Sequence, residues 1–173
     1  MAKQAEKRSS IDASATGRFL DEYLPYWLTQ ASHSITKEFH REVEREGLSN
    51  AEWRVLASLH GSAGETIGAL CRLAVIKQPT LSKLVQRLEA EKLVLRQTIA
   101  GDRRQTLVTS TPRGRARIDA LVSKARAQQR AILRPFGSTN SRQLIGMLQE
   151  LVRQREHAGS PGADLVPDEG EGA

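Results

Sequence analysis

The sequence predicts a mainly α-helical protein in which one small β-hairpin interrupts a series of amphipathic helices. Three observations support this fold class. Apolar residues recur at helical spacing over three long stretches, one near the start of the chain and two near its end. Between them lie two short helical stretches, about 67–74 and 77–89, separated by a few residues. Two β-type stretches around a Gly-Asp turn follow directly. A helix-turn-helix followed by a hairpin is a winged helix-turn-helix, here flanked by long helices.

The composition excludes several classes of protein. The chain has 173 residues, of which 39% are hydrophobic and 27% charged, and a formal net charge of +6. No apolar run approaches the ~20 residues that span a bilayer, and the N-terminus lacks the apolar core of a secretion signal. The single cysteine, Cys71, excludes an internal disulfide. We therefore expect a cytoplasmic protein of one domain, or one domain with extensions.

The N-terminal part predicts an arm and two helices. Residues 1–18 are polar without a sustained period, which is typical of a disordered arm. One long dimerisation helix is predicted from Phe19 to Glu46, within residues 19–48, and Pro25 must lie in its first turns or kink it. Gly47 ends this helix. A capping box at Ser49-Asn50-Ala51-Glu52 starts the next helix, which runs to about His60. Its predicted buried residues are Trp53, Leu56 and Leu59.

The central part, residues 49–111, predicts the winged helix itself. Thr66 caps a short helix that ends near Ala74. The second helix has an apolar face with i, i+3, i+4, i+7 spacing, formed by Leu81, Leu84, Val85 and Leu88. Strands at Val94–Ile99 and Gln105–Ser110 can pair across a turn formed by Ala100, Gly101, Asp102 and Arg103.

Basic charge is concentrated on this central part. Between Arg72 and Arg104 there are eight Lys or Arg residues and three acids, so +5 of the chain's net charge of +6 lies there. Arg103 and Arg104 lie at the predicted tip of the hairpin. Charge gathered on a helix-turn-helix indicates a nucleic-acid partner.

The C-terminal part predicts two further helices and a tail. Thr111-Pro112 is a cap followed by proline at the first helical position, and the helix then runs to about Arg134. Pro135, Gly137 and Ser138 break the pattern before a last helix at about Ser141–His157. We assign residues 112–157 to dimerisation helices, and the Gly-, Pro- and acid-rich residues 158–173 to a disordered tail.

Two linked motifs resemble the MarR family of winged-helix regulators. The stretch from Lys77 to Val85, followed by Arg87-Leu88-Glu89, looks like the recognition helix of that family. Asp102-Arg103-Arg104, followed by Leu107, Thr109 and Thr111-Pro112 with Gly114, resembles its wing signature, a D-x-R before a strand and a T-x-x-G helix start. Lys77 departs from the family pattern, which often has a capping serine there. Ser110 departs from it too, since leucine is usual at that position.

The polar face of the second helix and the hairpin tip supply the predicted DNA contacts. Thr80 and Gln86 suit base edges, whereas Lys83 and Arg87 suit guanine or phosphate. Asp102 would orient Arg104 by a salt bridge, because a bare carboxylate is repelled by DNA. The full predicted set is Lys77, Gln78, Pro79, Thr80, Ser82, Lys83, Gln86, Arg87, Arg103 and Arg104.

Aromatic residues cluster in the first two long helices. Six of the seven lie between positions 19 and 53. Such rings form either a core and dimer seam or an aromatic pocket with a few polar groups. The MarR resemblance favours a pocket, since members of that family often release DNA on binding phenolic or aromatic acids. The candidate effector-binding residues are Tyr26, Trp27, His33, Ser34, Trp53 and Arg54.

Other chemistry finds little support in the sequence. His33 and His40 are seven residues apart, about 10 Å along a helix, which is too far for one metal ion without other ligands. Cys71 lies on the packed side of its helix, where a thiol usually acts as a small hydrophobe. No nucleophile elbow, phosphate loop or metalloprotease motif is present, so we expect neither an enzyme nor a cofactor.

These observations predict a DNA-binding regulator. Long amphipathic helices around a small motif favour a two-fold homodimer on a palindromic operator. We expect a repressor released by a small aromatic acid, a phenolic compound or a CoA thioester of such an acid. Two alternatives remain at this stage. One is a MarR-type repressor without an effector, or controlled by oxidation of Cys71, and the other is a nonspecific DNA-packaging protein.

Overall fold

The computed structural model describes residues 18–99 and 102–157, with residues 102–104 and 157 described as backbone only. Seven α-helices, one 3-10 turn and three strands make up this part of the chain. The helices are α1 (Phe19–Glu22), α2 (Leu24–Arg45), α3 (Asn50–Leu59), α4 (Ile67–Ala74), α5 (Gln78–Ala90), α6 (Pro112–Leu133) and α7 (Gly137–His157). The strands are β1 (Glu65–Thr66), β2 (Val94–Ile99) and β3 (Asp102–Ser110). The chain divides into two compact units between Lys37 and Glu38, and that division falls within α2.

The prediction of one continuous helix from Phe19 is wrong at Tyr23. This residue has an extended backbone with φ −85° and ψ 100°, so α1 ends before it. Helix α2 then starts at Leu24, which places Pro25 in its first turn. A proline is tolerated there because its missing N–H has no partner inside the helix. At the other end of α2, Gly47 has φ +69° and its N–H donates to the Glu44 carbonyl, so the predicted glycine stop is confirmed.

The hydrophobic core lies in the second unit, between the helix-turn-helix and the helices on either side of it. Helix α5 contributes the four predicted apolar residues, which are all buried. Val43 from α2, Leu56 from α3, Leu70 from α4 and Ile118 from α6 pack in the same core. Of the residues predicted to be buried on α3, Leu56 and Leu59 are, whereas Trp53 is half-buried. The core therefore fixes one face of α5 and leaves its opposite face outside.

The three strands form an antiparallel sheet in the order β1-β3-β2. The predicted β2 is confirmed, but β3 starts at Asp102 instead of Gln105. Its register explains the difference, since Ile99 pairs with Asp102 while the preceding Thr98 pairs with Thr106. Residues 103–105 therefore oppose no residue of β2, as in a bulge near the end of a hairpin. Ala100 and Gly101 of the predicted turn lie outside the described residues.

Strand β1 was absent from our sequence prediction. It consists of two residues, in which Glu65 pairs with Val108 and Thr66 with Leu107. Thr66 also caps α4, because its hydroxyl accepts a hydrogen bond of 3.2 Å from the Ala69 N–H. A strand this short has no period to detect, and only the adjacent strand β3 defines it.

The last helix starts four residues earlier than predicted, at Gly137 instead of Ser141. A single 3-10 turn, Arg134–Phe136, accommodates Pro135, and the chain resumes an α-helix at once. The buried Ser141 hydroxyl stabilises this corner by hydrogen bonds of 3.1 Å to the Leu133 carbonyl and 2.6 Å to the Gly137 carbonyl. The predicted N-terminal arm, apart from Arg18, and the predicted tail lie outside the described residues.

Candidate nucleic-acid interface

Helix α5 presents a polar face to solvent. Lys77 precedes the helix in an extended conformation and its side chain makes no capping hydrogen bond, as expected where the family pattern often has serine. Proline in the first turn is compatible with the helix start. The residues opposite the core are exposed apart from Ser82, which is half-buried. This face comprises Gln78, Pro79, Thr80, Ser82, Lys83, Gln86 and Arg87.

An ion pair fixes α5 to the start of α3. The Arg87 guanidinium donates to the Glu52 carboxylate at 2.8 Å, and Glu52 is buried while the Arg87 side chain is 58% exposed. Glu52 also accepts hydrogen bonds from the Ser49 N–H at 2.7 Å and the Ser49 hydroxyl at 2.8 Å. The predicted capping box therefore forms, and Arg87 extends it to the polar-faced helix.

The pKa of Glu52 reflects this arrangement. Burial acts to raise it, but the hydrogen bonds from Ser49 and the charge of Arg87 outweigh burial, so the pKa lies below its ordinary value of 4.5. Glu52 is consequently ionised at neutral pH, and its negative charge pairs with Arg87 within the protein.

A second ion pair joins α5 to β2. The Glu89 carboxylate accepts from the Arg96 side chain at 2.7 Å and from the Arg96 N–H at 3.1 Å. The side-chain hydrogen bond from Arg96 lowers the pKa of Glu89 most, with its backbone N–H and charge adding to the effect. The carboxylates of Glu52 and Glu89 are thus both engaged within the protein. Among the described residues Lys77 and Lys83 form no ion pair, so the exposed face of α5 keeps a positive potential.

The predicted hairpin residues are described by their backbone. Asp102, Arg103 and Arg104 lie in the first residues of β3, and the latter two fall within the bulge. The salt bridge predicted between Asp102 and Arg104 concerns side chains outside the described part. The bulge lies beside the turn of the hairpin, next to the Ile99–Asp102 pair.

The T-x-x-G start of α6 anchors the hairpin to the long helix. The Thr111 hydroxyl accepts from the Gly114 N–H at 2.9 Å and donates to the Lys92 carbonyl at 2.8 Å. A Cβ on Gly114 would lie 2.0 Å from the Leu93 carbonyl oxygen. Only glycine lets the first turn of α6 approach the entry to β2 this closely. Ser110, the other departure from the family pattern, is half-buried here and its carbonyl accepts from Arg115 at 2.7 Å.

The six candidate effector residues fall in both compact units. In the first unit, Tyr26 and Trp27 pack edge to face with ring centroids 5.2 Å apart. His33 and Ser34 are exposed on α2. The second unit contains the remaining two, Trp53 and Arg54. The structure thus pairs the two rings of the first unit.

In the second unit, Trp53 packs edge to face on Phe39 with ring centroids 5.2 Å apart, as a core residue does. Arg54 differs, because its buried Nε has no hydrogen-bond partner among the described residues. A buried guanidinium N–H without an acceptor is costly unless a ligand or water supplies one.

Cys71 is a partly buried thiol that packs against the hydrophobic core. Cys71 is half-buried on α4, and burial raises the pKa of its thiol above the ordinary value, which lowers the thiolate fraction. Within the described ranges, no group of three His, Cys, Asp or Glu side chains is placed to hold a metal ion. In the same part of the chain, no helix is long and apolar enough to cross a membrane.

Known proteins resemble this chain both in sequence and in fold. A sequence model of the MarR family matches residues 46–105. The transcriptional activatory protein BadR of Rhodopseudomonas palustris is 32% identical over 171 residues, which cover 95% of this chain and 98% of BadR. The homoprotocatechuate degradative operon repressor of Escherichia coli is 27% identical over 125 residues, 72% of this chain and 84% of the repressor. A solved MarR family regulator from Silicibacter pomeroyi is 31% identical, with a TM-score of 0.69 over 79% of this chain and 98% of that structure.

Proposed function

Because this chain belongs to the MarR family of transcriptional regulators, we propose that it acts as a homodimer that represses genes beside a near-palindromic operator. Release from the operator follows binding of a small aromatic acid, a phenolic compound or a CoA thioester of such an acid. The family itself accounts for transcriptional regulation and for binding to double-stranded DNA. The dimer, the operator symmetry and the effector are the parts that experiment must decide.

The exposed face of α5 is the observation that carries the DNA-binding proposal. It combines Lys83 with hydroxyl and amide side chains, and Lys77 lies just before the helix, while Glu52 and Glu89 are engaged by Arg87 and Arg96. Unpaired cations near an amide and a hydroxyl suit phosphates and base edges in a major groove. In this proposal Gln86 and Thr80 contact bases and Lys83 contacts phosphate. Arg103 and Arg104 contact the backbone or the minor groove from the hairpin.

Exposed apolar surface supports the dimer. In the first unit, large side chains with more than a third of their surface exposed are Phe19, Tyr23, Leu24, Trp27, Leu28 and Ile35. On α7 of the second unit, a stripe at helical spacing is exposed as well, formed by Leu144, Met147, Leu148 and Val152. A soluble monomer rarely exposes apolar patches this large. A second copy related by a two-fold axis would cover them and place two α5 helices about one turn of DNA apart.

Two observations support an aromatic effector with an anionic group. Arg54 has a buried N–H without an acceptor, which a carboxylate would provide. One relative is named for the degradation of homoprotocatechuate, an aromatic acid. We propose that Arg54 binds the effector's anionic group. Trp53 is the candidate ring of the same unit, while Tyr26, Trp27, His33 and Ser34 of the first unit remain candidate effector residues from the sequence.

Population shift is the proposed mechanism of release. The dimer exchanges between forms that differ in the spacing of their two α5 helices, and DNA selects one spacing. An effector that binds another form more tightly lowers operator affinity by its differential affinity for the two forms.

The deciding experiment is fluorescence anisotropy of the protein on its own upstream intergenic DNA, at physiological salt, titrated with aromatic acids and their CoA thioesters. We expect tight binding to that DNA, weak binding to random duplex and release by one compound. Equal affinity for both DNAs would indicate a packaging protein. Specific binding without release by any compound would indicate an effector-independent repressor. Release by peroxide that Cys71→Ser abolishes would indicate a redox-controlled repressor.

A variant pair tests the effector residue. Arg54→Gln should keep operator affinity within about twofold and raise the effector concentration needed for release about tenfold, which corresponds to ~1.4 kcal/mol of lost binding. Arg41→Gln, on the exposed face of α2, is the matched charge control. Equal responses of both variants to the effector would remove Arg54 from the site.

A further inference from the structure

A cleft of about 630 Å³ lies at the corner where α6 turns into α7, away from the helix-turn-helix. Its first lining residue, Arg126, lies about 18 Å along α6 from Gly114, because an α-helix rises 1.5 Å per residue. Three arginines line one wall, and the first turn of α7 lines the other. The lining residues are Arg126, Gln129, Arg130, Leu133, Arg134, Gly137, Ser138 and Ser141.

The three arginines form a row along one side of the chain. Arg126 and Arg130 are four residues apart on α6, and Arg134 follows at the same interval in the 3-10 turn. Each step of four residues advances about 6 Å, so the row extends over about 12 Å. Their side chains are exposed, and within residues 18–99 and 102–157 none of the three guanidinium groups forms an ion pair. No acidic residue lines the cleft.

The opposite wall adds to the positive potential. Helix α7 has 21 residues and begins at Gly137, beside the arginines. The dipole of a helix favours an anion at its N-terminal end, and here the Gly137 N–H itself is bonded to the Arg134 carbonyl. Ser141 is already engaged, because its hydroxyl donates to two carbonyls of the corner. The three guanidinium groups are therefore the charged groups that the cleft offers to a ligand.

We propose that this cleft binds a small ligand with several linked phosphate groups. A row of like charges at 6 Å intervals repels itself, and a linear polyanion removes that repulsion along its length. Guanidinium groups bind phosphate oxygens in a bidentate manner, so three of them can hold successive phosphates. The cleft is large enough for a small ligand. The site is separate from the candidate effector residues and does not depend on the proposed repressor function.

Isothermal titration calorimetry of the full-length protein with inorganic tripolyphosphate, at 150 mM salt and without DNA, tests the proposal. We expect saturable binding with one ligand per chain, and at least tenfold weaker binding by Arg130→Gln/Arg134→Gln. The matched control is Arg41→Gln/Arg155→Gln, which removes the same charge from exposed positions outside the cleft and should change affinity less than twofold. Equal weakening in both double variants would overturn the proposal, as would no binding by the unmodified protein.

Competition experiments identify the source of the anion. A nucleoside triphosphate should displace tripolyphosphate, whereas citrate at the same concentration should not, because its three carboxylates carry less charge and are more closely grouped than three linked phosphates. Displacement by citrate or by a short random DNA duplex would overturn a polyphosphate site. Circular dichroism and operator binding by Arg130→Gln/Arg134→Gln should be unchanged, so failure of this site and failure of the repressor proposal give different results.

Discussion

At the residue scale, Glu52 shows how one buried carboxylate can position a helix with an exposed polar face. It completes the cap of α3 through Ser49 and holds Arg87 of α5 at 2.8 Å. Neither role alone requires burial of a charge. Together they place three hydrogen-bonded partners around one side chain, which is the condition under which burying a carboxylate is tolerable.

Glu52→Gln should lower the free energy of unfolding by about 1–2 kcal/mol at pH 7, because charge-assisted hydrogen bonds to a buried group become neutral ones. The pKa of Glu52 is lowered in the folded protein, so its contribution is present above the unfolded value near 4.5 and is lost as pH falls through the folded pKa. In urea denaturation, the difference in the free energy of unfolding between Glu52→Gln and wild type should be smaller at pH 3.5 than at pH 7. Glu44→Gln, at an exposed position, is the control, and an equal effect there would contradict the assignment.

Gly114 is the second residue on which the fold depends. Gly114→Ala should destabilise the protein by about 3 kcal/mol, since its Cβ would meet the Leu93 carbonyl oxygen at 2.0 Å and the Ser110 hydroxyl at 3.0 Å. Thermal unfolding measures the change. The control is Gly68→Ala, where a Cβ has no neighbour within 4 Å and the expected effect is between zero and a gain of about 1 kcal/mol. A neutral Gly114→Ala would mean that the first turn of α6 can move away from the hairpin.

At the scale of elements, the two cations of the α5 face have different roles. Lys83→Ala should weaken binding to operator and random DNA alike, reduce the slope of log affinity against log salt by about 1, and leave thermal stability unchanged. Arg87→Ala should weaken DNA binding and also lower stability by about 2–3 kcal/mol, because it leaves Glu52 buried without its cation. Anisotropy over a salt series and calorimetric unfolding separate the two effects. Identical stability of both variants would show that the Arg87–Glu52 pair does not position α5.

Periodicity predicted the elements, and contacts distant in sequence decided their ends. The apolar face of α5 and the caps at Ser49, Thr66 and Thr111 are local signals, and the structure confirms them. The start of β3 depends on pairing with β2, so the sequence misplaced it by three residues. Likewise, no local pattern indicates that Arg87 contacts Glu52, which is 35 residues earlier in the chain. The polar face of α5 was therefore predictable from the sequence. Which of its residues form contacts within the protein, as Arg87 does, was not.

At the scale of the whole molecule, the exposed stripe on α7 predicts a dimer. Leu148→Asp should shift sedimentation from dimer to monomer at micromolar concentration, because a charge replaces apolar surface in the proposed contact. Operator affinity should then fall at least tenfold, since a monomer binds only one half-site.

Gln149→Asp makes a comparable charge change one residue away, on the side of α7 outside the stripe, and should remain dimeric. A dimeric Leu148→Asp protein would exclude this face from the subunit contact. The sequence predicts a dimer only because its long helices have apolar faces that must be covered. It does not indicate which surface of the second copy covers them.

The Glu89–Arg96 pair has a consequence for exchanging specificity between relatives. A graft that replaced α5 alone would separate a carboxylate from the guanidinium and the N–H of the following strand. The grafted helix would then lack the Glu89–Arg96 contact that joins α5 to the hairpin. Because Arg87 of the same helix is paired with Glu52, the smallest portable specificity cassette is residues 49–99. Chimeras cut between positions 89 and 96 should lose discrimination even when every side chain proposed to contact bases has been transferred.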